Sequence, residues 1–377
     1  MSRLSAMKIT AIDVGVVAVP LKGTYATAHG SLGVQRSVLA RVRTDDGLVG
    51  WGNVDPTPGY SEMNVEEIVS TARESLGSAL LGSDPLNITA ALHRMDAQCP
   101  ARNEARALLE MALFDLKGKA LGVPVWSLLG GKLRDEVILN AWIGAVPPER
   151  AAAEAADWCR RGFRSAKIKI GRDFREDVDR VAAVRGVVGQ TMSLRVDANE
   201  GLDVESAIRL AKALARYEIT LFEQPVPRAD LHGLARIRRE SPVPIMADES
   251  VRDARSLMEI IRLEAADLIK VKVMKQGGVC RTLQLVSIAE AAGLGVILGH
   301  GFGLWVSTLA ELHVAAASLC ILDGCEAVGP LKMASEVVKN PPNMEGGRVQ
   351  IPDAPGLGVE PDEGLLIQHG WDAAVKE

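Results

Sequence analysis

The sequence predicts an α/β fold: a (β/α)7–8 barrel of the TIM type, joined to an α+β unit that the N-terminal segment builds and the C-terminal tail rejoins. Three observations carry this. The 377 residues are too many for one small domain and suit a barrel of roughly 200–250 residues plus a second unit. Lys169, Asp197, Glu223, Asp248 and Lys272 stand 28, 26, 25 and 24 residues apart in turn, the length of one strand–loop–helix step. Each closes a short apolar run (AKIKIG, LRVDAN, TLFEQP, PIMADES, LIKVKV) that gives way to helical text.

Residues 1–132 open with strand-like alternation (KITAIDVGVVAV, RSVLARVRTDDGLVGWG), and Asp46-Gly47 between the apolar runs is a hairpin signal. Helical patterns follow. In EARALLEMALFDLKGKALG an apolar face recurs at Leu108, Met111, Leu113 and Leu116, and Gly122 with Pro124 stops it. Strands followed by helices suggest an α+β domain.

Residues 133–330 alternate strand and helix. Strand one is read in VILNAWIGA, strand seven in GVILGH and strand eight within ILDGCEAVG. Their near-continuous apolar text suits parallel strands buried on both faces. Val178, Val181, Val184 and Val188 fall on one helical face; so do Ala207, Leu210, Ala211 and Leu214, with Asp203 placed to cap that helix. TLQLVSIAEAAG ends on Gly293 before the next strand. Residues 331–377 lose the alternation, and the Gly/Pro-rich GGRVQIPDAPGLGVEPDEG reads as an extended tail returning to the first domain.

Composition narrows the function. Hydrophobic content of 47% and charged content of 24% are ordinary for a globular protein. A net charge of −5 without a basic run argues against nucleic acid as partner. No apolar run of about 18 residues could span a membrane, and the first residues lack a signal-peptide pattern, so a cytoplasmic location is expected. The five scattered cysteines contain no C-x-x-C pair and read as reduced, packed thiols.

The carboxylates Asp197, Glu223 and Asp248 end three successive strands, where a barrel gathers its chemistry. Three buried carboxylates repel one another, and a divalent cation resolves that; oxygen-only ligation points to Mg²⁺, with Mn²⁺ as the alternative. Glu249 rivals Asp248 as third ligand, but neighbours on a strand face opposite ways, so only one should reach the metal. Asn199 is placed to support a ligand from behind. Lys167 and Lys169 lie two apart on one strand, face the same way and should lower each other's pKa, the route by which a lysine becomes a base. Lys270, Lys272 and Lys275 compete for the other side of the barrel mouth. His313, in an apolar helix, reads as core.

Taken together, KIK, VDAN, FEQP, ADES and KVMKQGG resemble the enolase superfamily, muconate lactonizing enzyme subgroup, over nearly the whole chain. The N-terminal segment and the stretch GGRVQIPDAPGLGV resemble that family's capping domain. The resemblance implies that Asp197, Glu223 and Asp248 hold one Mg²⁺ per subunit and that Lys169 and Lys272 are acid/base catalysts on opposite faces of the substrate, with Lys167 beside them. Alignment on Gly277-Gly278 selects Lys272 over Lys270 and Lys275, and likewise favours Asp248 over Glu249. The shared chemistry is abstraction of a proton α to a carboxylate, the enediolate being stabilised near Mg²⁺; the class is a known example of a Lys or His base working with Mg²⁺. A small carboxylate is therefore the expected partner, and a homo-oligomer the expected assembly.

Two lysines favour racemisation or epimerisation of a small carboxylate such as an amino-acid derivative; a lyase or cycloisomerase is the alternative. One departure stands out. The subgroup's small-residue turn and glutamate after strand seven are replaced by His300 and Gly303. His300 reads as an extra acid, a substrate contact or a packed residue. Loops at about 21–31 and 51–60 would close the barrel mouth, making Tyr25, His29, Trp51 and Tyr60 candidate substrate contacts, each of which could equally be a packing residue of the capping domain.

Overall fold

The computed structural model describes residues 7–27 and 30–372; His29 lies outside them. Strands β1 (Ile9–Thr27), β2 (Gly30–Thr44) and β3 (Val49–Val54) form an antiparallel sheet in that order. The β2–β3 turn is the expected Asp46-Gly47 hairpin. Gly47 takes φ 87°, a left-handed conformation that glycine adopts without strain, and its N–H donates to the Thr44 carbonyl at 3.1 Å. Helix Asn103–Leu121 crosses this sheet and ends at Gly122, φ 70°. It comes so close that a Cβ on Gly50 or Gly52 would collide with the carbonyls of Ala112 and Leu108. The glycines of VGWGN are there to admit the helix.

Seven parallel strands follow: β5 (Ala141–Ile143), β6 (Ser165–Lys169), β7 (Ser193–Asp197), β8 (Ile219–Glu223), β9 (Ile245–Ala247), β10 (Leu268–Val271) and β11 (Gly295–Leu298), adjacent in chain order. Residues 321–326 fill the eighth position. On one side the Leu322 N–H donates to Val296 at 2.8 Å and Glu326 to Leu298 at 2.8 Å; on the other, Asn140 donates to Cys325 at 2.8 Å. The ring is closed. The run read as strand one divides: β4 (Glu136–Ile138) pairs antiparallel with β13 (Arg348–Gln350), and β5 alone joins the parallel sheet. The change of partner falls at Leu139 and Asn140, whose N–H groups donate to Gly347 and Cys325 respectively.

Side-chain alternation sets the barrel's interior. Leu221, Met246 and Ile297, with Leu268 against them, form a buried apolar cluster separate from the main core. Two residues further along stand Glu223 and Lys270 on their strands and Asp248 just past β9. The tail adds β12 (Val338–Lys339) paired with β14 (Glu360–Pro361), while Trp371 packs on the N-terminal sheet, its ring 5.9 Å from that of Trp51. Among the described residues no helix is long and apolar enough to cross a membrane. The five cysteines are free thiols. His313 is buried, its Nε2 3.2 Å from the Leu357 carbonyl, and burial lowers its pKa to about 4.

Candidate active site

A cavity of about 370 Å³ opens at the C-terminal ends of the strands. Each strand places its own charge there. The register of the sheet sets Lys169 beside Asp197 and Asp197 beside Glu223. Lys169 Nζ lies 2.7 Å from Asp197 Oδ2 and also donates to Asn199 Oδ1. Asn199 bridges onward, its Nδ2 donating to Glu249 Oε1 at 3.0 Å. Lys167 is buried deeper, 3.0 Å from Asp197, 3.1 Å from Glu223 and 2.5 Å from Glu326. Lys270 meets Glu223 and Glu326 from the opposite wall at 3.0 and 2.5 Å. Lys272, one residue past β10, reaches Asp248 Oδ2 at 2.7 Å, and Lys275 reaches Asp248 Oδ1 at 2.7 Å from the short helix Val273–Gln276.

These contacts fix the charge states. Burial alone would raise the pKa of Asp197, but Lys167 and Lys169 hold it well below the carboxylate range. Asp248 is held down in the same way by Lys272 and Lys275. Glu223 goes the other way: burial and the neighbouring Asp197 push it up to about 8. Burial, with Asp248 next to it, also raises Glu249. Among the lysines, burial favours the neutral amine, yet Asp197 outweighs it at Lys169 and Asp248 at Lys272, so both stand above the ordinary lysine value. Lys167 does lower Lys169, as expected, but carboxylates at 2.7–3.1 Å outweigh the like charge, so the net fall expected of the pair is corrected to a rise, and Lys167 is also raised. Lys275 differs. Burial and Lys272 bring it down to about 8 despite Asp248.

A second correction concerns Glu249. It was expected to point away from Asp248, yet both side chains line the cavity. Strand β9 ends at Ala247, so the alternation that separates neighbours no longer applies. Trp51 is the third. It lies within β3, buried between Arg41 and Trp371, and its N–H donates to Asp115 at 2.9 Å; it does not line the cavity. Tyr25 and Tyr60 do line it, the Tyr60 ring 6.0 Å from Lys169 Nζ.

His300 also lines the cavity, and its ring sits between two acids. Nδ1 is 3.3 Å from Glu311 Oε2 and Nε2 is 3.5 Å from Asp55 Oδ2. Burial opposes its charge, but Glu311 and Asp55 prevail and raise the pKa to about 9. A Cβ on Gly303 would lie 2.7 Å from the imidazole, so the glycine leaves room for the ring.

Sequence reasoning missed Glu326, Lys332, Asp55 and Glu311. Glu326 closes the eighth barrel position and is held down to about 2, burial being outweighed by Lys167 and Lys270. Its signal was available: an acid at the end of the segment read as strand eight. Asp55 and Glu311 carry no such mark; only the fold brings them to His300.

Asp197, Glu223 and Asp248 are the residues that would hold a metal. Among the described residues no three acidic, histidine or cysteine groups already converge as a cation cage; each carboxylate engages a lysine. The donor set itself suits a hard divalent ion, being oxygen-only and almost wholly buried, with Glu249 Oε2 and Glu326 Oε1 left without hydrogen-bond partners in the same cavity.

Comparison with known proteins agrees with the architecture. Residues 9–130 match the mandelate racemase/muconate lactonizing enzyme N-terminal domain, and residues 150–365 match the enolase C-terminal domain-like family. The chain is 32% identical over 361 residues to N-succinyl-L-Arg/Lys racemase of Bacillus cereus, spanning 96% of this chain and 97% of that protein. It superimposes with a TM-score of 0.93 on muconate lactonizing enzyme from Pseudomonas fluorescens in complex with muconolactone, at 31% identity over 97% of this chain and 99% of the other. With the dipeptide epimerase of Enterococcus faecalis, in complex with Mg and the dipeptide L-Leu-L-Tyr, the TM-score is 0.89 at 31% identity, covering 94% and 99%. A barrel that closes over lysines and carboxylates, beneath a three-stranded cap, is thus matched along its whole length by isomerases, and the chain belongs to the mandelate racemase/muconate lactonizing enzyme family of the enolase superfamily.

Proposed function

We propose that this protein removes the proton α to a carboxylate in a Mg²⁺-dependent reaction and returns it, racemising or epimerising a small carboxylate such as an amino-acid derivative. One observation supports this above the rest. Strands β6 and β10, which carry Lys169 and lead into Lys272, are four positions apart in either direction around an eight-position ring. The two amines therefore approach the cavity from opposite sides, as a two-base transfer at one carbon requires.

Asp197, Glu223 and Asp248 would hold the ion. When bound, Mg²⁺ supplies positive charge to the carboxylate oxygens of the enediolate, which makes a weakly acidic α-proton removable. The residues of the chain do the rest. With Asp197 and Asp248 engaged elsewhere, Lys169 and Lys272 lose the contacts that raise their pKa values, and burial then favours the neutral amine. One amine takes the proton from one face; the opposite ammonium delivers a proton to the other. Asn199, hydrogen-bonded to Lys169, orients that amine.

The test is ¹H NMR in D₂O with Mg²⁺ and a pooled set of N-acyl amino acids, dipeptides, betaines, hydroxy acids and sugar acids. Loss of an α-proton signal with the substrate otherwise unchanged is expected. New vinyl or keto signals would instead establish a lyase, and no exchange across the pool would overturn the proposal.

A further inference from the structure

The two lysines that face each other across the cavity are held by different parts of the molecule. Lys169 closes strand β6 inside the parallel ladder, in register with Asp197. Lys272 lies one residue past β10, outside the ladder, and heads the short helix Val273–Gln276. That helix is gripped from the cap. Asn103, Arg106 and Glu110 stand three and four residues apart, on one face of helix Asn103–Leu121. Asn103 Nδ2 donates to the Lys275 carbonyl at 2.9 Å, Arg106 Nη1 donates to the Gly277 carbonyl, and Glu110 Oε1 accepts the Cys280 N–H at 2.8 Å.

The glycine pair belongs to this grip. Gly277 and Gly278 take φ 84° and 118°, and a Cβ on Gly278 would stand 1.6 Å from Glu110 Oε2. Glycine there admits the carboxylate. Gly278 also closes the short helix, its N–H donating at 2.8 Å to the carbonyl of Val273, the residue after Lys272. Fold stability does not account for the charges. Arg106 and Glu110 are almost wholly buried and 2.7 Å apart. Burial pushes the Glu110 carboxyl up even with Arg106 drawing it down. Apolar side chains of similar volume commonly hold a fold as well as a buried ion pair, which adds directional bonds. Those bonds run on: Arg106 Nε and Arg281 Nη2 both meet Asp96 Oδ1 at 2.9 Å, tying the cap to the segment just past the glycines.

We propose that Arg106 and Glu110 are positioning residues for Lys272, so that the cap sets one base of the pair and the barrel sheet sets the other. The inference rests on the α-proton reading for the role of Lys272, and it carries a stereochemical signature. In a two-base transfer each amine takes the proton from one enantiomer. Displacing Lys272 alone slows removal from one enantiomer and spares the other, whereas a general loosening of the fold slows both.

The test follows α-proton loss in D₂O with Mg²⁺ from the two enantiomers of N-acetylleucine, or of the pooled acid that wild-type protein exchanges, supplied separately. Lys272→Ala identifies the enantiomer that Lys272 serves. Glu110→Gln is expected to slow exchange of that enantiomer roughly 10²-fold, the cost of a misplacement of about 1 Å, with the other close to wild type. Arg106→Met/Glu110→Leu removes both charges and fills their space, which guards against a fold lost to one stranded charge, and should give the same one-sided loss. Equal losses for both enantiomers, or wild-type exchange of both in the double variant, would overturn the inference. A metal-free crystal structure of the double variant reads the position without any substrate: Lys272 Nζ should leave its 2.7 Å contact with Asp248 Oδ2. The two proposals fail separately. Wild-type protein that exchanges no acid sinks the α-proton reading, whereas an unmoved Lys272 in the double variant sinks the positioning role whatever the reaction.

Discussion

The two ends of the barrel are made by the same strands and do opposite things. Near the N-terminal end the inward face carries Leu221, Met246, Leu268 and Ile297, packed on one another. Two residues on, the same faces of β8 and β10 carry Glu223 and Lys270, and residue 248 beyond β9 is Asp. Hydrophobic burial stabilises the first layer; the second concentrates like and unlike charges out of water, which costs stability unless every charge finds a partner. A single step along the pleat separates the part that holds the barrel closed from the part equipped to react.

The contrast can be broken in order of expected effect. Lys272→Ala at the charged end should lower α-proton exchange by about 10²- to 10⁴-fold, the range for a positioned acid/base, with little change in the midpoint of thermal unfolding. Comparable exchange in the variant would deny the charged layer its catalytic role. Met246→Ala at the apolar end should do the reverse. Removing a fully buried methionine costs about 2–5 kcal/mol, read as a lower denaturant midpoint, while exchange at 25 °C stays close to wild type. A large loss of exchange with unchanged stability would show that the two layers are not separate.

The smallest effect concerns His300 at the rim. Its pKa rises from 6.5 to about 9 in the folded protein. Between those values the folded chain holds a proton that the unfolded chain has released, so the contribution is complete below about pH 6.5 and is lost as pH rises through 9. Stability on the order of 1–3 kcal/mol should disappear over that window. His300→Gln should flatten the loss in a series of thermal midpoints; parallel curves for the two proteins would refute the ion-pair account.

What the sequence disclosed follows from the same layering. The 24- to 28-residue spacing and the apolar runs ending in Lys, Asp or Glu expose strands β6 to β10 because those strands are regular. The eighth position was harder to resolve: Asp323-Gly324 interrupts its apolar text, it joins its neighbours through isolated bridges at Ile321 and Cys325, and the acid it delivers, Glu326, was overlooked. Lys332 was invisible for another reason, since one lysine in a short helix says nothing until Trp142 and Phe302 are folded around it. Trp51 stayed open between contact and packing because a tryptophan beside a presumed loop looks available, whereas β3 turns it into the cap's own core.

The tail carries a consequence for how the chain is made. Strand β13 completes the edge of β4, and Trp371 covers Trp51 by fitting against Gly15, where a side chain would stand 2.9 Å from its ring. Segments synthesised early thus wait for residues 348–371, which are made later. A nascent chain stalled before residue 348 would present a bare strand edge and an uncovered indole, two features that favour self-association, so this stretch acts as a seal on folding begun some 300 residues earlier.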